Sequence, residues 1–187
     1  MQLVDAGELR VLDFDIENRP LAYMGQDFTT GEVTAIACSW IGGPEVYCWA
    51  LGEVEPEIML QEFVKLYNEA DEVTGHYICG HDLPVLNGAL LELGLPGLAS
   101  KLTSDTHRDL VRTRHLSRSQ ENLAEMWDLA EEKYHMNNTR WRRANRLTPV
   151  GIRQTKKRVM DDVIQHMELR AKMIELGVLG VPRVWRP

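Results

Sequence analysis

Alternation between apolar and polar residues is clearest near the start of the chain. From Leu9 to Glu17 an extended strand would carry Leu12, Phe14 and Ile16 on one face and Asp13, Asp15 and Glu17 on the other. Asn18-Arg19-Pro20 ends the pattern, because proline removes a ladder donor, and Asn18 to Gly31 reads as a loop. Glu32 to Ile41 is apolar on both faces, as a central strand is, and Gly42-Gly43-Pro44 turns it into a third strand, Glu45 to Leu51. The period then changes. Pro56 opens a helix to Ala70 with Ile58, Phe63, Leu66 and Tyr67 on its buried face. Glu72 to His76 is a fourth strand, Asp82 to Leu93 a helix stopped by Gly94, and Lys101 to Thr103 a fifth strand. Helices follow at Asp105 to Arg114, at Glu121 to Glu132 behind a capping box in Ser117 to Gln120, and at Gly151 to Leu176. Asn137 to Pro149 is polar and basic and is expected as a mobile loop, with Val178 to Pro187 a tail. The whole reads as one α/β domain over residues 1–187: a mixed five-stranded sheet, three antiparallel strands and then parallel ones, with helices on both faces.

Composition changes this picture in two places. Three cysteines without a CxxC pair give neither a disulfide framework nor a zinc site and fit a reducing cytoplasm. The longest apolar runs are too short for a membrane span, and Met1 to Asp5 lacks a basic-then-apolar leader pattern. The net charge of −7 argues against a nucleic-acid partner until its distribution is read. Arg140, Arg142, Arg143, Arg146, Arg153, Lys156, Lys157 and Arg158 occur with no acid among them, and Arg108, Arg112, Arg114 and Arg118 form a second basic set. Two solvated helix faces and a phosphate-contacting surface both fit that segregation.

The candidate chemistry lies in three acidic segments. Asp13, Asp15 and Glu17 on one strand face repel one another; a hard divalent cation in front of them would resolve the repulsion, and so would a wet edge strand. Gly75-His76-Tyr77-Ile78-Cys79-Gly80-His81-Asp82 runs from a strand through a turn to a helix start, where Asp82 can serve as an N-cap or as a ligand. His76 and His81 bracket Cys79 at no standard zinc spacing. In the last long helix, Val159, Val163, His166, Met167, Arg170 and Ile174 form a stripe that Asp162 flanks, with Asp161 about 100° away.

Phe14-Asp15-Ile16-Glu17, then Gly75-His76 with Asp82-Leu83-Pro84, then Asp162-Val163 in a late helix, resembles the three ordered motifs of the DEDD, or DnaQ-like, 3′→5′ exonuclease superfamily, which has the RNase H-like fold. The resemblance covers most of the chain and implies that Asp15, Glu17, Asp82 and Asp162 (or Asp161) hold two divalent cations, Mg²⁺ or Mn²⁺, which clamp the attacking and leaving oxygens of a phosphodiester displacement. Two positions depart from the family pattern. Tyr77 stands where asparagine is expected after Gly-His. The general base, a Tyr four or a His five residues before the final Asp, is replaced by Arg158 and Lys157. Arginine cannot act as a base, so Lys157 is the remaining candidate, either for that role or for phosphate binding.

The resemblance therefore implies a cytoplasmic, metal-dependent exonuclease that releases nucleoside monophosphates from single-stranded 3′ ends, DNA before RNA. His76, Tyr77, Arg143, Arg158 and Trp141 are its candidate substrate contacts; Trp141 could equally be a packing residue. An RNA-directed or oligoribonucleotide exonuclease, and a catalytically silent nucleic-acid-binding module, are the alternatives. The size also resembles exonucleases carried by bacteriophages, and proofreading would require a polymerase partner in trans.

Overall fold

The computed structural model describes residues 9–21, 31–130 and 133–187. The N-terminal leader reading, most of the Asn18 to Gly31 loop and the end of the helix expected at Glu132 lie outside them. Three strands come first: β1 (Val11–Pro20), β2 (Gly31–Trp40) and β3 (Val46–Ala50). The next elements are α1 (Pro56–Glu69), β4 (Glu72–Gly75), α2 (Asp82–Glu92), β5 (Lys101–Asp105) and α3 (Thr106–Asp109). The last are α4 (Gln120–Met126), α5 (Asn138–Asn145), α6 (Pro149–Glu175) and β6 (Arg183–Trp185).

The six strands form one mixed sheet in the order β3-β2-β1-β4-β5-β6. β1, β2 and β3 are antiparallel, β1-β4 and β4-β5 parallel, and β6 antiparallel on β5. This mixed α/β arrangement is RNase H-like. The acidic strand is therefore central, which removes the wet-edge reading. Its Leu12, Phe14 and Ile16 face is buried with Met59, Leu60 and Phe63 of α1 and Leu83, Leu86 and Leu90 of α2. On the opposite face, Ala35 and Ala37 of β2 and Ala50 of β3 are small enough for α6 to lie close through Val159 and Val163.

Several local expectations are corrected. The tail contains a sixth strand: the edge of β5 still has unpaired backbone groups, and Lys101 to Thr103 pair with Trp185 to Arg183. The expected loop at 137–149 contains α5, because Asn137 accepts from the N–H groups of Thr139 and Arg140 and so caps a helix of high arginine content. Thr148 likewise caps α6, accepting from Gly151 N at 3.0 Å. The cap of α4 is Ser119, two residues past the expected start of the box. The helix expected over Asp105 to Arg114 is a single turn. On α1 and α6, Ile58 and Ile174 are exposed; Met59, Leu169 and Met173 hold the buried positions instead.

Two glycines fix close approaches around the site. A Cβ on Gly75 would lie 2.3 Å from Ile78 Cγ2 and 2.7 Å from the Phe14 carbonyl oxygen. We expect Gly75→Ala to destabilise the chain by about 2–3 kcal/mol through overpacking, seen as a fall in Tm of roughly 5–10 °C. An unchanged Tm would show that β4 can move off β1 without cost. A Cβ on Gly151 would lie 2.1 Å from the Arg143 carbonyl oxygen, so this glycine lets the basic helix α5 dock on α6.

Candidate metal centre

The acids gather at the carboxyl ends of the parallel strands, the usual crevice of an open α/β sheet. β1 pairs with β4 only as far as Asp13 and Thr74, so β1 runs on past its neighbour. The Ile16 N–H beyond that point has no strand to donate to. Asp82, the first residue of α2, takes it: Ile16 N donates to Asp82 Oδ1 at 3.2 Å, inside the protein. The Asp82 side chain thus ties α2 to β1 rather than capping its own helix, whose cap residue His81 makes no side-chain cap bond. The register of β1 against β2 shifts between Glu17 and Asn18, immediately after the last acid of the strand.

Asp15, Glu17 and Asp162 each present an oxygen within 4.8 Å of the others. The remaining acid of the strand faces a different partner. Asp13 is fully buried and its Oδ2 lies 2.7 Å from His166 Nδ1, so it anchors α6 to β1 beneath the site. Charge crowding shows in the protonation of the cluster. Burial pushes Asp15 well above the ordinary carboxylate range, and Asp82, Asp162 and Glu17 reinforce it. Glu17 is pushed up to about 7, by burial first and then by Asp162. Asp82 also rises to about 7 through burial, against the opposing backbone N–H bonds.

Two cations stand against these acids. Arg158 Nε is 2.9 Å from Asp162 Oδ2 and 3.6 Å from Glu17 Oε1, and Lys133 Nζ is 3.0 Å from Asp162 Oδ1. Arg158 Nε and Asp162 Oδ1 nonetheless make no aligned hydrogen bond among the described residues. The three carboxylates form an all-oxygen set whose span approaches the roughly 4.2 Å between trans oxygens around Mg²⁺, which fits a hard divalent ion. The cluster could thus bind metal.

The Gly-His segment is organised by Asp105. Its carboxylate accepts from Tyr77 N at 3.1 Å, Cys79 N at 3.0 Å and Arg108 N at 3.0 Å, which shapes the turn after β4 and caps α3. Tyr77 has φ 67°, left-handed geometry that an asparagine tolerates and a tyrosine rarely adopts. Its ring passes over Gly80, where a Cβ would come within 2.5 Å of it, and meets His107 edge-on at 4.7 Å. His76 Nδ1 reaches Thr106 Oγ1 at 2.9 Å, and the same hydroxyl reaches His166 Nε2 at 2.9 Å. A buried chain of contacts thus runs from Asp13 to His76. Burial, with His166 and His107 next, lowers His76 to about 3, so this imidazole is neutral at physiological pH.

Of the residues singled out from sequence, Asp15, Glu17 and Asp162 come together, Arg158 reaches Glu17 and Asp162, and Asp82 is bonded to the backbone between the first two. Asp161 is not in the cluster: it accepts from Tyr134 N at 3.1 Å and from Lys157 Nζ at 2.9 Å. Lys157 is a correction. One residue along a helix is about 100°, and its side chain, 59% exposed, turns to Asp161 and solvent instead of the acids. Tyr77 and Arg143 are exposed, and Trp141 is partly buried on α5. The Cys79 thiol contacts Thr103 and Arg108, and His81 contacts Asn18, so this pair builds no zinc site. Sequence reasoning missed Lys133 and the organising part of Asp105. No motif signals a lone lysine after two glutamates, whereas Asp105 at a strand end before Thr106 carries a cap signal that could have been used.

No protein-family model matches the chain, and no curated protein matches it. Among solved structures, the fold is shared with a family B DNA polymerase from the hyperthermophilic archaeon Pyrobaculum calidifontis. The TM-score is 0.73 at 18% identity, over 91% of this chain and 25% of the polymerase. The chain therefore corresponds to about a quarter of that protein. None of the helices among the described residues is long and apolar enough to cross a membrane.

Proposed function

We propose that the chain is a metal-dependent 3′→5′ exonuclease acting on single-stranded DNA ends. The observation that carries this reading is the convergence of Asp15, Glu17 and Asp162, from β1 and α6, on one spot beside Asp82. Sharing a fold with part of a DNA polymerase agrees with it. Asp15, Glu17 and Asp162 would hold one divalent cation, Mg²⁺ or Mn²⁺, and Asp82 with Asp15 a second. When bound, these ions supply charge for the developing oxyanions of phosphodiester hydrolysis.

The protein's own groups then position the strand. The Tyr77 ring, backed by His107, offers a stacking surface for the terminal base, with the neutral His76 ring edge-on to His107 at 5.3 Å. Exposed Arg142, Arg143, Arg146 and Arg153, with Trp141 beside them, supply phosphate and base contacts on the approach. Arg158 lies within the acidic group, and its guanidinium, already protonated, cannot accept a proton and so cannot serve as the base. That guanidinium specifically favours a second reading, a nucleic-acid-binding module without catalysis.

The test is shortening of matched 5′-labelled DNA and RNA oligonucleotides with Mn²⁺, with the released mononucleotides identified by chromatography. Stepwise shortening of the DNA strand, blocked by a 3′-phosphate and absent on a circular single strand, is expected. Binding of the strand without any cleavage would favour the silent module, and faster cleavage of RNA would favour an oligoribonuclease.

A further inference from the structure

Resting on the metal-dependent reading of this site, we propose that Lys133 and Arg158 are built-in counter-ions, which a divalent cation must displace from Asp162 in order to bind. Both contacts converge on that one carboxylate, one cation per oxygen, and both side chains are mostly withdrawn from solvent (11% and 16% exposed). Neither is a passing surface pair. Arg158 Nε is close to Asp162 but not aligned for a hydrogen bond, so it is held there by charge rather than by direction.

The segment that delivers Lys133 is clamped to α6 by its neighbour, Tyr134. The Tyr134 N–H donates to Asp161 at 3.1 Å, its carbonyl accepts from Arg158 Nη1 at 3.3 Å, and its hydroxyl accepts from Gln154 Nε2 at 3.2 Å. Its ring lies beneath the Arg140 guanidinium (4.5 Å) and the Lys157 ammonium (5.7 Å). Lys133 is thus held over the acids by five contacts that Tyr134 makes through its side chain and backbone. Lys157, the sequence candidate for a base or a phosphate contact, instead helps hold this clamp.

A doubly charged ion at Asp162 cannot share the carboxylate with two monocations at about 3 Å without strong repulsion. Metal binding therefore expels Lys133 and turns the Asp162 carboxylate away from the Arg158 guanidinium, while Asp162 and Arg158 both stay on α6. The cost of that exchange lowers the affinity of the resting chain for divalent ions.

The test is calorimetric titration of Mn²⁺ into the full chain, without nucleic acid, for the wild type, Lys133→Met, Arg158→Met and Asp15→Asn. Each cation variant is expected to bind Mn²⁺ at least ~10-fold more tightly than the wild type. Equal or weaker binding overturns the proposal while leaving the nuclease reading intact. Undiminished binding by Asp15→Asn would place the ion elsewhere and overturn the reading of the site itself. A second measurement needs no variant. Acetylation of Lys133 in the wild type, followed by mass spectrometry, is expected to rise several-fold when Mn²⁺ is added; unchanged protection overturns displacement.

Discussion

Asp15→Asn is expected to abolish mononucleotide release, by at least ~10³-fold, and at the same time to raise the Tm of the metal-free chain. The two effects have one cause. Asp15 sits between Asp82, Glu17 and Asp162, and all three push its carboxyl above the ordinary range in addition to burial. Such crowding costs stability in the metal-free chain, and under the proposed function a bound cation would relieve it. Asparagine keeps the shape and removes the charge, so neighbouring carboxylates relax while the central ligand is lost. A gain of ~1–2 kcal/mol corresponds to roughly 2–6 °C for a chain of this size. Single-turnover assays and melts in chelator measure both. A lower Tm, with activity unchanged, would show that Asp15 supports the fold and not the chemistry.

The Mn²⁺ affinity of each proposed ion site is expected to fall about 10-fold between pH 8 and pH 6. An ordinary carboxylate ligand remains ionised well below that window. Glu17 and Asp82 do not, since burial holds each at about 7. At pH 8 both are mostly ionised and open to a cation; at pH 6 both are mostly protonated, and each proton removed by the ion costs up to ~10-fold. The stability of the metal-free chain follows with a defined sign. Between 4.5, the ordinary glutamate value, and about 7, folded Glu17 holds a proton that the unfolded chain has released. This group's contribution therefore falls as pH rises through that window. His76, lowered from 6.5 to about 3, runs the other way and favours folding as pH rises from about 3 to 6.5. Titrations at several pH values, with chelator melts beside them, read both. A fall in Mn²⁺ affinity confined to below pH 5 would mean that Glu17 and Asp82 titrate as ordinary carboxylates.

Much of this was legible in the sequence, for identifiable reasons. Period-two alternation in β1 placed Leu12, Phe14 and Ile16 in the core. The two-sided apolar character of β2 marked it as interior, and Pro56 and Gly94 bounded α1 and α2 closely. The meander followed by parallel strands needed only short links and a crossover helix. What was hidden depends on tertiary context. β6 has three residues and no alternation worth reading; it forms because β5 offers an open edge. The capping asparagine before α5 was present, but three arginines masked the helix behind it. At the site, sequence spacing could not choose between Asp161 and Asp162 or between Lys157 and Arg158, because adjacent helical residues differ only in direction. The packing of Val159 and Val163 under the sheet sets that direction and turns Arg158 and Asp162 inward together.

One element carries several of these groups on a single rigid rod. α6 is 27 residues without interruption and holds, in turn, the Gly151 seat of α5, Arg158, Asp162 and His166. Adding or deleting one residue between any two of them would turn everything downstream by about 100° and slide it 1.5 Å. Lineages of this chain should therefore tolerate point changes along the helix yet show almost no length polymorphism within it, while the connections on either side drift freely in length.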